Sequence, residues 1–289
     1  MTTATIAAAP ISDLSRRKDW MRRNPTIVIG SLILLFFVAV ALLAPWLAGD
    51  PLSFEPLFRL KKPSGEFWFG TDQFGRDVYN RVVYGTRVSL IVGISVALIA
   101  TAIGLVIGVL CGYYRRVDDL VMRVMDGLMA IPPILLAIAL ITLMKASLLI
   151  VIVAIAIPEI PRVVRLVRSV VLGVRGLPYI EAAVASGTRV RTIITRHILP
   201  NTVAPLVVQA TYVCASAILT EAGLSFLGAG TPPEIPSWGN IISQGRTYFQ
   251  LSPWIIFFPG VMLAIAVLAI NLVGDGLRDT LDPRIARRM

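Results

Sequence analysis

The sequence predicts an all-α integral membrane protein with six transmembrane helices. Hydrophobic residues make up 56% of its 289 positions, the mean hydropathy is +0.78, and only 15% of residues are charged. An ordinary soluble domain contains about 25% charged residues, so this chain cannot hide its apolar surface in one soluble core. Apolar runs near the ~20 residues that cross a bilayer as a helix recur along the chain.

Six apolar segments are the candidate spans. They are Thr26–Leu47, Val88–Gly112, Val124–Leu143, Ser147–Ile157, Val203–Leu224 and Pro253–Val273. The fourth is short, but it continues as an amphipathic helix with a stripe of arginines to about Leu172. This division predicts a tail over 1–25 and a membrane domain over 26–289. The domain contains outer loops at 49–87 and 225–252 and a cytoplasmic loop at 173–202.

The basic residues predict the orientation of the spans. With the N-terminus inside, the inner segments contain 19 of the 27 Lys and Arg residues and the outer segments contain 8. Cytoplasmic segments of membrane proteins are enriched in Lys and Arg. We therefore expect a multi-pass protein with both termini in the cytoplasm.

One polar segment between two apolar stretches has an internal order that a simple linker does not need. We call this segment, Glu181 to Asn201, the knob. Its residues predict a helix, a sharp turn at Gly187, a second helix over Arg191 to Leu199, and a stop at Pro200. Glycine can adopt the positive φ of such a turn, and proline lacks the N–H that continues a helix. The pattern indicates a compact helical element outside the bilayer.

The knob resembles the EAA loop of ABC importer permeases. The family pattern is matched by Glu181, Ala182, Ala183, Gly187, Leu199 and Pro200. Two further stretches, FGTDQFGRDVYNRVVYGTRVSL at 69–90 and LTEAGLSFLGAGTPPEIPSWG at 219–239, are similar to the C-type permease subunit of dipeptide, oligopeptide and nickel importers. Two residues depart mildly from that family's pattern, Asn80 and Gly223.

The resemblance implies a type I ABC importer permease fold in a prokaryotic plasma (inner) membrane. The implied partners are a second, B-type permease, two ATPase subunits, and an extracytoplasmic substrate-binding protein. The knob would be the coupling helix that enters a groove of an ATPase. No GxxxxGK[ST] phosphate loop is present in the sequence. We therefore expect no enzyme activity and no cofactor on this chain, with ATP and Mg used by the partner ATPases.

The remaining knob residues of interest are three arginines and the single histidine. Arg189, Arg191 and Arg196 are candidates for pairing with acidic residues of the ATPase, and solvent or anionic lipid is the alternative. His197 is interpreted as a polar contact at the end of the coupling helix, rather than as a proton switch.

Acidic residues within spans are the candidates for a gate or a substrate path, because charges in the membrane are costly. They are Asp126, Glu159 and Glu221. Glu159 lies between Pro158 and Pro161, which we expect to break the helix near an inner gate. The alternative for Glu159 is an ion pair with Arg162 or Arg165.

Small residues recur every four positions in the second span, at Gly104, Gly108 and Gly112. This spacing predicts close packing against another helix, and a groove that contacts a ligand is the alternative. The sequence offers no metal-ligand motif, no assembled catalytic group, and no basic patch typical of nucleic-acid binding.

The predicted function is an ATP-driven importer permease that works by alternating access, for peptides or related solutes. An ion-coupled secondary transporter is the alternative, with the same three acidic residues as coupling sites. The sequence leaves the substrate open among peptides, nickel chelates, glutathione, opines and sugars.

Overall fold

The computed structural model describes residues 24–145 and 147–281, and these residues are almost entirely helical. The α-helices are α1 (Pro25–Leu47), α2 (Val78–Tyr113), α3 (Arg115–Ala130), α4 (Pro133–Leu143), α5 (Leu148–Arg175), α6 (Pro178–Ala185), α7 (Val190–Ile193), α8 (Leu199–Phe226), α9 (Trp238–Gly245) and α10 (Trp254–Leu281). A π-helical turn (Ile194–Ile198) joins α7 to α8, so that residues 190–226 run as one long helix.

Long apolar helices confirm the predicted fold class, but their number differs from the prediction. Among the described residues, four helices are long and apolar enough to span a membrane: α1, α2, the continuous helix over 190–226 and α10. The bent pair of α3 and α4 makes a fifth if it is counted as one span. The predicted fourth span falls outside this count, because α5 contains Glu159, Arg162 and Arg165 among its apolar residues.

The predicted third span, Val124–Leu143, is wrong as a single helix. Its first part belongs to α3 and its second part to α4, and the two helices meet at 91°. The break lies at Pro132 and Pro133. A proline disfavours helical backbone in the residue before it, so two successive prolines end α3 and let α4 start with a proline in its first turn.

The predicted break at Pro158 and Pro161 is also wrong, because α5 is continuous through both prolines. Both prolines are buried in the bundle. In a membrane, packing against neighbouring helices can hold a helix together despite the lost backbone hydrogen bonds.

The bundle is organised around α2, which packs most extensively on α5 and also on α8 and α1. Gly104, Gly108 and Gly112 lie against Val163, Val167 and Val171 of α5. A Cβ atom added at any of the three glycines would approach its valine to 2.5–2.7 Å, which is closer than real Cβ contacts allow. The glycines therefore permit the close approach of α2 and α5 within this chain.

The short connections place the ends of these helices on two sides of the bundle. We call the side that carries the knob the knob face. The side that carries residues 48–77 and 227–253 is the loop face. Helix α2 begins at Val78, inside the predicted outer loop 49–87, and its N-cap is the side chain of Asp77, which accepts a hydrogen bond from the Tyr79 backbone N–H.

Candidate functional site

The knob folds as two short helices joined by a tight turn. Helix α6 ends in a turn where Gly187 has φ +74°, and the backbone N–H groups of Gly187 and Thr188 donate to the carbonyls of Val184 and Ala183. These two bonds form a Schellman motif, which needs a left-handed residue at this position. The predicted positive φ at Gly187 is confirmed.

Three isoleucines anchor the knob to the bundle. Ile180, Ile193 and Ile198 are each at most 1% exposed and belong to the main hydrophobic core. The opposite surface is open, and its exposed side chains include Tyr179 and Val184. An apolar anchor on one side and an exposed apolar and polar surface on the other make the knob a rigid projection with a free face.

The residues predicted to couple to the ATPase lie on or beside this free face. Glu181, Ala182, Arg189 and Arg191 are exposed, and Ala183 is half-buried. His197 is half-buried, and its ring centroid lies 5.9 Å from that of Tyr179, a contact within the knob region. Leu199 and the exposed Pro200 open α8.

The prediction that Pro200 stops the helix is wrong. The π-helical turn precedes it, in which the Leu199 backbone N–H donates to the Ile194 carbonyl, five residues earlier. This wider turn immediately before the proline accommodates its ring and its missing N–H. The knob is therefore continuous with the membrane helix α8, so that a displacement of the knob is transmitted directly to α8.

Two of the candidate path residues belong to a series of ion pairs along α5. Arg165 donates to Asp126 at 2.6 Å, between two largely exposed side chains, and Arg168 makes a bidentate pair with Asp118. Glu159 is buried and accepts a hydrogen bond from the Ser216 hydroxyl of α8 at 3.1 Å.

The charge partner of Glu159 is Arg162, with the guanidinium 3.4 Å from the carboxylate. The structure thus contains the ion pair that the sequence offered as the alternative to a gate. It also connects Glu159 to α8 through Ser216, so this carboxylate bridges α5 and α8.

Glu221, the third candidate, lies at the loop face and is fully buried. Its Oε1 atom accepts hydrogen bonds from the hydroxyls of Ser225, Thr231 and Ser237, while Oε2 has no partner among the described residues. The Asn240 amide extends this cluster by donating to the Thr231 carbonyl at 3.0 Å. The cluster joins the end of α8 to the start of α9.

Sequence reasoning missed a second buried cluster, which joins the first long motif, at 69–90, to α9. Asp72 accepts from Arg76 at 2.6 Å and from Arg81 at 2.9 Å, and both arginines donate to the Gln244 side-chain oxygen. Arg81 and Asp72 are fully buried. Three charged residues of both signs at the start of an apolar helix could have indicated this cluster, because charged side chains in a membrane protein's interior need partners.

The chain is similar in sequence and in fold to known proteins. The family described as "Binding-protein-dependent transport system inner membrane component" matches residues 104–287, which is more than half of the chain. The chain belongs to this family. A second family, "N-terminal TM domain of oligopeptide transport permease C", matches residues 20–63. The chain is therefore a C-type permease of the ABC importer class and a multi-pass protein of the inner membrane.

Individual relatives agree over nearly the whole length. A probable peptide ABC transporter permease protein of Sinorhizobium fredii is 54% identical over 100% of this chain and 99% of that protein. The dipeptide transport system permease protein DppC of Alkalihalophilus pseudofirmus is 43% identical over 92% of this chain and 88% of that protein. The glutathione transport system permease protein GsiD of Pectobacterium atrosepticum is 40% identical over 98% and 97%.

The fold also matches a solved transporter. An inward-facing conformation of the MetNI methionine ABC transporter superposes with a TM-score of 0.55 at 23% identity, over 70% of this chain and 96% of that chain. This likeness confirms the predicted type I importer permease fold. The family assignment confirms the importer permease and contradicts the ion-coupled transporter, and membership implies that ATPase and other subunits accompany the chain.

Proposed function

We propose that this chain is the membrane-spanning subunit of an ATP-driven importer for peptides or closely related solutes. The observation that carries the proposal is the knob, a rigid projection that is anchored in the core by Ile180 and Ile193 and is continuous with α8. Such a projection gives a partner a handle through which force reaches the membrane helices. The relatives named for peptide, dipeptide and glutathione transport support the substrate class.

In this proposal the chain itself hydrolyses no ATP and binds no cofactor. Two ATPase subunits bind ATP and Mg and close on each other, and the knob follows the ATPase on which it is seated. Because the knob and α8 form one continuous helix from Val190, the movement shifts the membrane helices between outward- and inward-open populations.

The proposed orientation places the knob face and both termini in the cytoplasm. The excess of Lys and Arg in the segments on that side supports it. A B-type permease then forms the other half of the path, and a binding protein delivers the solute to the loop face. The buried clusters around Asp72 and Glu221 give that face a fixed shape for such a contact.

The coupling role is tested at Gly187. In Gly187→Asp the new Cβ meets no atom of this chain within 4 Å, so the cost to the fold is the positive φ, about 1–2 kcal/mol. We expect the protein to insert normally but to lose peptide uptake and the stimulation of ATP hydrolysis. Both are measured in vesicles with the importer purified from its native membrane.

Gly228→Asp is the matched control. Gly228 has φ +82° and equally open surroundings, but it lies on the loop face. We expect this variant to retain basal ATP hydrolysis, since its backbone strain is the same and its distance from the knob is large. Wild-type uptake in Gly187→Asp, or equal loss of ATP hydrolysis in both variants, would contradict the coupling role.

Partners and substrate are tested by gentle purification of the tagged chain followed by mass spectrometry. Recovery of two ATPases, a second permease and a loaded binding protein supports the proposal, and the bound solute identifies the substrate. Recovery of the chain alone, under conditions that preserve known importers, contradicts it.

A further inference from the structure

A cavity of about 600 Å³ opens on the knob face between α5, α8 and α10. It lies below the point where α8 and α10 cross closely, at Thr211 and Gly274, where an added Cβ on Gly274 would come within 2.3 Å of the Thr211 hydroxyl. Beyond this crossing, residues of both helices line the cavity. Its volume falls within the roughly 300–1,000 Å³ of small-ligand sites.

The depth of the cavity corresponds to a membrane interface. A helix crosses the hydrocarbon core in about 20 residues. Counted from Trp254, α10 reaches the far edge near residue 274, and Arg278 lies roughly 6 Å beyond it. Counted back from Phe226, α8 reaches the same edge near residue 206, so that Pro205 and Asn201 lie at the boundary.

The lining is amphipathic. Its apolar part includes Leu166, Ala204 and Val208, and its polar part consists of Asn201, Gln209 and Arg278. Arg278 is the one charged residue in the lining and makes no ion pair among the described residues. Apolar walls beside one cation that has no ion-pair partner among the described residues match an acyl chain attached to an anionic headgroup.

We propose that this cavity binds the phosphate group of an anionic phospholipid, with Arg278 and Gln209 as donors to the phosphate and the acyl chain along the apolar wall. Basic pockets between membrane helices on the cytoplasmic side commonly bind such headgroups. The inference goes beyond transport and rests only on the proposed orientation. A lipid in this position fixes α8, and hence the knob, relative to α10.

The test titrates the purified full chain in detergent with phosphatidylglycerol and, separately, with phosphatidylcholine, and measures binding by native mass spectrometry. We expect the wild type to prefer phosphatidylglycerol. Arg278→Gln should weaken its binding at least about tenfold, or about 1.4 kcal/mol, and leave phosphatidylcholine unchanged. Arg123→Gln is the control, because Arg123 is an exposed arginine of α3 away from the cavity.

A second variant tests the apolar part of the cavity without removing the charge of Arg278. Ala204→Trp fills the apolar part while Arg278 remains, and we expect it to abolish lipid binding. Binding that is equal in the wild type and Arg278→Gln, or unchanged in Ala204→Trp, would overturn the proposal. Competition by millimolar inorganic phosphate would overturn the lipid assignment and indicate a free phosphate instead. None of these outcomes depends on transport, so they leave the importer function to its own tests.

Discussion

Replacing Gly104 by alanine tests the contact on which the bundle is centred. A Cβ at this position would lie 2.5 Å from both Cβ and Cγ1 of Val163, 0.9 Å inside the 3.4 Å at which ordinary contact begins. Val163 is fully buried and its Cβ is fixed to the backbone of α5, so the two helices must separate. Overpacking of this kind costs about 1–3 kcal/mol.

Gly173→Ala is the matched control on the other helix of the same pair. Gly173 lies inside α5, and an added Cβ meets nothing within 4 Å. Alanine there should stabilise the helix by up to about 1 kcal/mol. The same chemical change is therefore expected to have opposite signs at the two positions, with a difference of about 1–4 kcal/mol.

The assay is unfolding of the purified full chain in mild detergent as sodium dodecyl sulfate is added, followed by far-ultraviolet circular dichroism. We expect Gly104→Ala to unfold at a lower fraction of the denaturing detergent than the wild type, and Gly173→Ala at a higher one. If Gly104→Ala is as stable as Gly173→Ala, the close approach of α2 to α5 at this glycine is refuted.

Substitutions at three further residues test the buried charges and a helix cap. Glu159→Gln removes the charge at the contact of α5 with α8. We expect this variant to insert normally and to take up solute several-fold more slowly. Normal uptake and normal ATPase coupling would exclude a gate role for Glu159. Arg81→Met leaves Asp72 with a single cation and should cost roughly 3 kcal/mol in an unfolding titration, whereas an unchanged midpoint would show that the pair contributes little. Burial raises the pKa of the Asp77 carboxyl, although two backbone hydrogen bonds act in the opposite direction. The ionised carboxylate is therefore disfavoured in the folded protein. The free energy of unfolding should fall as the pH rises from about 4 through the raised pKa. Asp77→Asn keeps the helix cap and should remove this pH dependence of the unfolding midpoint between pH 4 and 7. Asp77→Ala should lower the free energy of unfolding by about 1 kcal/mol. A pH dependence that persists in Asp77→Asn would assign it to another group.

The sequence by itself determined the class of the protein and the turn of the knob at Gly187. Apolar runs separated by polar segments predict membrane helices because hydropathy is a property of the local composition. The turn at Gly187 was equally local, since only glycine adopts a positive φ without steric cost. The three motifs sufficed for the family, because their order along the chain is itself part of the pattern.

The effect of each proline was decided only by the tertiary structure. Pro132 and Pro133 break a helix, whereas Pro158, Pro161 and Pro200 do not. A proline removes one hydrogen bond wherever it occurs, and whether the helix survives depends on what packs around it. Neighbouring elements in the fold supply that packing, and a local pattern does not contain it.

The partners of the buried charges were likewise beyond the sequence. Arg81 was predicted in an outer loop, yet it is fully buried and its amide partner Gln244 is 163 positions away in the chain. The cavity beside Arg278 is lined by residues of α5, α8 and α10, which are far apart in the chain. Such features depend on distances between remote segments, which only the assembled fold defines.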